Sequence, residues 1–290
     1  MSFLPILLII VSRSVHQLEG VFIKKYNAKH EKGGFIFTAI VSLFSMVFFL
    51  LADIFTDKSG LRFPPNLILY GVFAGIAFCL ASFLTYLALG CGSFVLSRLI
   101  LSYGILVTVV HGLFLGETIT LLGWIGLALI VVSLYFVKGN ETGESVKVTK
   151  KWVIYITLSV VFAGVFGVLQ RQQQIVFHEA YDNEFMIISL AVSALCLLIG
   201  GLVKDGKDLK YILRYGGLYA VGAGFSNGAT NLLTLYLYTL APMSFVAPMN
   251  AGASIVISFL ISKLLFKEKF SKMQYLGVIL GGVALILFNL

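Results

Sequence analysis

The lengths of the uncharged apolar runs constrain this chain more than any other feature. A hydrocarbon core about 30 Å thick takes about 20 helical residues to cross, at about 1.5 Å per residue. Residues 34–52, 118–137, 152–170, 185–203 and 273–290 each match one crossing, as does 99–116 once it is extended back through Arg98 to about Ser93. Two runs, 63–97 and 215–262, are too long for one span and must fold back. The reversals are expected at Gly90-Cys91-Gly92 and at Ala241-Pro242, because glycine permits a sharp turn and proline removes a helical donor. A first span over residues 2–23 brings the count to ten. That segment has neither a basic n-region nor a small-residue cleavage site, so it reads as a span and not as a cleaved signal. A barrel would show short alternating segments, whereas these runs are continuously apolar, so the expected fold is an all-α membrane protein.

Composition excludes other classes. Of 290 residues, 59% are hydrophobic and only 12% charged, against about a quarter charged in soluble domains. The formal charge of +8 sits in short clusters between apolar runs, which points to a lipid bilayer as the partner and away from nucleic acid. Cys79, Cys91 and Cys196 show no CxxC or Cys/His spacing; they read as small core residues, with no disulfide framework, metal site or cofactor implied.

Displaced by 151 positions, the chain matches itself. Ser93-Phe94-Val95 falls on Ser244-Phe245-Val246, Leu113 on Leu264, Glu117 on Glu268, Gly126 on Gly277, and Gly71 on Gly222. Apolar coincidences are common in such chains, so the glutamates and the glycine nine residues after each carry the weight. Each half then holds five helices: 1–137, a linker loop at 138–151, and 152–290. Five is odd, so the second half enters the membrane in the opposite sense, giving ten transmembrane helices as two inverted five-helix repeats.

These residues resemble the drug/metabolite transporter superfamily, in particular its ten-helix EamA-like family. Tyr86-Leu-Ala-Leu-Gly90, Ser93-Phe-Val and Leu113-Phe-Leu-Gly-Glu117 look like that family's half-repeat, echoed by Tyr238 through Ala241, Ser244-Phe-Val and Leu264 through Glu268. The resemblance implies that spans 1, 3, 4, 6, 8 and 9 surround a central cavity while 5 and 10 pack outside. Relatives commonly carry a proline midway along spans 4 and 9; this chain has Ser102-Tyr103-Gly104 and Ala253-Ser254 there, so their kink is not carried over.

Lysine and arginine concentrate on the cytoplasmic side of membrane proteins. Here they follow spans 1, 5, 7 and 9, with Lys58 and Arg62 the main exceptions. The tally places both termini outside, whereas the resemblance more often implies cytoplasmic termini. The expected location is a bacterial cytoplasmic (inner) membrane.

Ionisable residues inside a membrane are candidates for function because each costs roughly 2.5 to 3.5 kcal/mol at the centre of a span. Arg98, in span 4, offers a donor fork to a substrate carboxylate or phosphate; an internal ion pair or snorkelling to the loop is the alternative. Arg13, His16, Gln17 and Glu19 share one broad face of span 1. Glu19 and His16 form a candidate proton-coupling pair, or Glu19 merely balances Lys24 or Arg13. Asn227 and Asn231 lie on one face of span 8 with Tyr238 two turns on, and Tyr86, Tyr103, Asn250 and Gln170 complete the candidate substrate site. Amides also join helices structurally. Arg171 and the glutamines beyond Gln170 read as interfacial. Glu117 and Glu268 are assigned to structure, each preceding a helix whose amino-terminal dipole attracts a carboxylate.

The chain is thus expected to be a secondary transporter that moves a small polar or amphipathic metabolite, an amino acid or related zwitterion, by alternating access with proton coupling. No GxxxxGK[ST] loop is present to bind a nucleotide. A choline-like carrier is the alternative, with Tyr86, Tyr103, Tyr236 and Tyr238 as a cation cage; a membrane enzyme acting on lipid-linked substrates is a third. A homodimer is compatible with the sequence.

Overall fold

Apolar length turns nearly every expected span into a helix. The computed structural model describes residues 3–30, 33–55, 60–92, 94–101, 103–114, 116, 120–138, 149–178, 180–241, 243–267 and 271–288. Among them are α1 (Phe3–Asn27), α2 (Gly34–Phe55), α3 (Pro65–Cys91), α4 (Phe94–Leu101), α5 (Gly104–Phe114), α6 (Leu121–Lys138), α7 (Lys150–Val176), α8 (Asp182–Lys204), α9 (Leu209–Leu240), α10 (Met243–Ile261) and α11 (Lys272–Phe288). No strand occurs in the described residues.

The helices before both expected reversals end where they were expected to, with Pro242 itself outside the described residues. α3 opens with Pro65 in its first turn, where a missing N–H costs nothing, and stops at Cys91 with Gly92 extended at φ −139°, ψ 177°. α9 stops at Leu240 with Ala241 extended at φ −154°, ψ 151°. The expected fourth span differs: it is two helices, α4 and α5, joined by a turn in which Tyr103 N donates to Ile100 O at 2.9 Å. No proline is needed for this break, because Gly104 follows the turn and starts the next helix. Glu117 and Glu268 lie outside the described residues.

α1, α2, α3, α7 and α8 are each long and apolar enough to cross a membrane. α9 is longer than any of them at 32 residues, but Ser226, Asn227, Thr230, Asn231 and Thr234 dilute its apolar character. Side chains such as Leu69, Phe73, Ile154, Leu195, Ile199 and Leu218 are exposed on the bundle's exterior, as a lipid-facing surface requires. The cysteines are free, and Cys91 and Cys196 are exposed, which corrects the expectation of core residues; a small thiol is tolerated equally well on an apolar exterior.

α1 packs on α9 and α7 on α3; α2 lies against α8 and α9, and α3 against α8; α6 and α11 pair with each other. Glycine sets the closest seams. A Cβ at Gly75 would stand 2.6 Å from Ser189 O on α8, and one at Gly224 would stand 2.7 Å from Val41 O on α2. Where α2 meets α8, Ser42 Oγ and Ser193 Oγ are 3.1 Å apart. Several loops gather at one end of the bundle: His30 Nδ1 is 2.7 Å from Tyr211 Oη, Phe35 N donates to Asp205 Oδ2 at 2.9 Å, and Lys24 Nζ donates to Gly92 O at 2.8 Å.

Candidate functional site

The polar residues that interrupt α1 and α9 turn toward a shared cavity of about 250 Å³ in the bundle interior. Its wall is drawn from α1, α3, α4, α5, α7, α9 and α10, the same set as spans 1, 3, 4, 6, 8 and 9 with the fourth span counted as two helices. His16, Glu19, Arg98, Gln170, Asn227, Asn231, Tyr238 and Asn250 all reach this wall. Tyr86 and Tyr103 do not. Tyr86 is buried beside Phe37, with ring centroids 5.5 Å apart, and Tyr103 packs with Trp152 and Ile156. Their candidacy as substrate residues is corrected accordingly: a tyrosine in an apolar span follows the rotation of its helix, and here that rotation points it into packing.

On the α1 side the ionisable groups form a chain. Arg98 Nη1 lies 3.2 Å from His16 Nε2, Arg98 Nη2 donates to His16 O at 3.5 Å, and His16 Nδ1 stands 3.4 Å from Glu19 Oε2. The guanidinium fits because residue 20 is glycine: a side chain there would collide with Arg98 Nε and Nη2. Phe94 covers it from α4, its ring centroid 5.8 Å from Cζ. Glu19 also meets the Asn227 side chain. Arg13 is held apart from this chain and donates from Nη2 to Thr234 Oγ1 at 3.0 Å and to Ser12 Oγ at 3.1 Å.

The opposite wall is neutral. Asn231 Nδ2 donates to Asn227 Oδ1 at 3.0 Å, and Gln170 Nε2 donates to Asn231 Oδ1 at 3.3 Å, so an amide ladder crosses from α9 to α7. Ser45 of α2 supports it from behind, donating to Asn227 Oδ1 at 3.1 Å. Gln17 Nε2 donates to Ser254 O of α10 at 3.5 Å. Beyond the cavity, Gln173 and Gln174 are buried and join the end of α7 to Ala180, Asp182 and Leu235, a junction that satisfies otherwise stranded backbone groups.

Thr230, Thr234 and Ser254 also reach the cavity and escaped notice in the sequence. Threonine and serine return their hydroxyls to the helix backbone, as Thr230 and Thr234 do to residues four positions earlier at 2.8 Å, so they are inconspicuous in apolar helices. The available signal was periodicity: 227, 230, 231, 234 and 238 recur at three- and four-residue steps.

Residues 150–290 match the model of the EamA-like transporter family. The second half of this chain is thus similar to the EamA-like transporter family. The match is consistent with a membrane protein of the drug/metabolite transporter type, as the sequence resemblance implied. No curated protein matches it in sequence. Among solved structures, one whose title says only that it is the crystal structure of a protein superposes with a TM-score of 0.64 over 98% of this chain and 94% of that one, at 15% identity. At that identity the likeness concerns the fold. The EamA-like match covers the amide ladder's Gln170, Asn227 and Asn231, whereas Arg13, His16, Glu19 and Arg98 precede it in the chain.

Proposed function

We propose that this EamA-like protein is a secondary transporter for a small dipolar metabolite, an amino acid or related zwitterion, which binds in the central cavity and is passed across by alternating access. The observation that carries the reading is a cavity with charge on one wall and amides on the other. At about 250 Å³ it is smaller than the roughly 300 to 1,000 Å³ of drug-sized sites, so it suits a metabolite. A purely apolar cargo would leave its guanidinium and carboxylate groups uncompensated, at several kcal/mol each.

The helix contacts support the mechanism, because they are those an inverted repeat would make. The pairing of α1 with α9 is answered by that of α7 with α3, and α2 on α9 by α8 on α3, while α2 meets α8 and α6 meets α11. That is the set of contacts expected when α7 through α11 repeat α1 through α6 about an axis through the α2–α8 seam. Ten crossings follow if α4 and α5 together make one. Alternating exposure is then a rocking of one half against the other.

Proton coupling is the further element, through Glu19 and His16, which stand 3.4 Å apart on the cavity wall. Glu19→Gln is expected to flatten the pH dependence of uptake into vesicles; unchanged dependence would remove Glu19 from the coupling. The choline-like alternative is less favoured, because Tyr238 reaches the cavity but Tyr86 and Tyr103 are packed elsewhere and Tyr236 is half exposed.

The deciding test is a thermal-shift screen of purified protein against amino acids, quaternary amines and nucleobases, followed by uptake of any hit in proteoliposomes. A ligand that binds only the folded state raises its melting temperature. Stabilisation and uptake of an amino acid are expected; stabilisation by choline alone would overturn the proposed substrate class.

A further inference from the structure

The two arginines of the cavity are not equivalent. Arg98 is already occupied: it lies on the glycine gap at residue 20, contacts His16 through both terminal nitrogens and is covered by Phe94. Its charge is balanced through His16 by Glu19, the next group along. Arg13 has only hydroxyl acceptors, Thr234 and Ser12, whereas Nε is buried without a hydrogen-bond partner in both arginines. Among the described residues no carboxylate lies within ion-pair distance of either guanidinium.

We propose that Arg13, with Thr234 beside it and Tyr238 one turn further along α9, holds the anionic group of the substrate, and that Arg98 is a positioning residue that fastens α4 to α1. The proposal rests on the reading of the cavity as a dipolar-metabolite site and names which residue makes it selective. Two guanidiniums face one carboxylate on the cavity wall, so cations outnumber carboxylates there in a medium where an uncompensated charge is costly. A carboxylate cancels that surplus and accepts from a planar fork that Lys cannot mimic. The other end of such a ligand has acceptors waiting. Glu19 Oε2, Asn250 Oδ1 and Gln17 Oε1 are buried without hydrogen-bond partners, and a protonated amine supplies donors to them. Arg13 and Glu19 are six residues apart on α1, about 9 Å along the axis, with Thr234 and Asn227 of α9 at corresponding levels. The ligand therefore lies along the α1–α9 seam with its anionic end toward Arg13.

The experiment compares charge selectivity in the full-length protein, reconstituted in vesicles, with the common amino acids, their carboxamides, inorganic phosphate and choline as probes. The wild type is expected to prefer an amino acid to its carboxamide by about 10- to 100-fold, the range for a hydrogen-bonded charge. Arg13→Gln should abolish that ratio and Arg13→Lys should retain part of it, which separates lost selectivity from lost folding. Arg98→Gln should reduce binding of acid and amide alike, leaving the ratio intact. A ratio that survives in Arg13→Gln, or disappears in Arg98→Gln, overturns the assignment. If the wild type binds phosphate but no amino acid, and Arg13→Gln ends that binding, the anion seat stands while the zwitterion reading falls. If choline is the ligand and Arg13→Gln leaves it unaffected, both fall.

Discussion

α1 and α7 line the same cavity and occupy corresponding places in the proposed repeat, yet they bring different chemistry to it. At a displacement of 151 positions, Arg13 is answered by Gly164, His16 by Gly167 and Glu19 by Gln170, and all six reach the cavity. One helix supplies charge; the other supplies room and a neutral amide. Gly164 also serves packing, since a Cβ there would stand 2.5 Å from Val107 of α5. In the proposed repeat one copy keeps the helix arrangement while the other is free to specialise, and charge confined to one wall would give a ligand a fixed orientation.

The largest effect should come from breaking the charged wall. Arg98→Leu takes away the cation that balances Glu19 through His16, and an uncompensated charge inside a membrane costs roughly 2.5 to 3.5 kcal/mol. The melting temperature in detergent should fall accordingly, and adding Glu19→Gln to the same chain should recover most of it. A double variant no more stable than Arg98→Leu would show that Arg98 acts through packing alone, and the charged wall would lose its meaning.

Next come the two glycine seams, one in each half. Gly75→Val drives a side chain into Ser189 O, and Gly224→Val into Val41 O; overpacking of this kind costs about 1 to 3 kcal/mol. The two melting temperatures should drop by similar amounts. If only one variant is destabilised, the seams do not correspond and the repeat is a weaker guide to the architecture.

How much of this could be read from residues alone follows from how local each cause is. The reversals at Gly90-Cys91-Gly92 and Ala241-Pro242 were visible because glycine and proline act on their own backbone. The pairing of Asn227 with Asn231 was visible because four residues is about one helical turn. The division of labour between Arg13 and Arg98 was not, since it depends on Gly20 leaving space for a guanidinium from a helix nearly eighty positions away. Tyr86 and Tyr103 were misplaced for a related reason: helix rotation is set by neighbours, and an aromatic ring suits a cavity and a core equally. The break between α4 and α5 had no proline to announce it.

The neutral wall should respond more mildly than the charged one. Gln170→Leu removes the rung to Asn231 at 3.3 Å, a neutral contact worth about 1 kcal/mol in a helix interface. Its melting temperature should fall by a fraction of that seen for Arg98→Leu, with substrate affinity reduced and the preference for acid over amide unchanged. Equal losses from the two variants would erase the distinction between the walls.

The smallest effect tests the axis itself. Ser42 and Ser193 are 151 positions apart, so the proposed repeat makes each the counterpart of the other, and counterparts touch only where the axis passes between them. Their hydroxyls, 3.1 Å apart and buried, form one shared hydrogen bond. Ser42→Ala and Ser193→Ala should each cost up to about 1 kcal/mol, in nearly equal measure because each removes the same bond from an equivalent position. The double variant should cost little more than either single one, since both partners of the bond then vanish together and no buried hydroxyl is stranded. Additive losses would mean that each serine is held by its own surroundings and not by the other, leaving the α2–α8 seam as an ordinary helix contact.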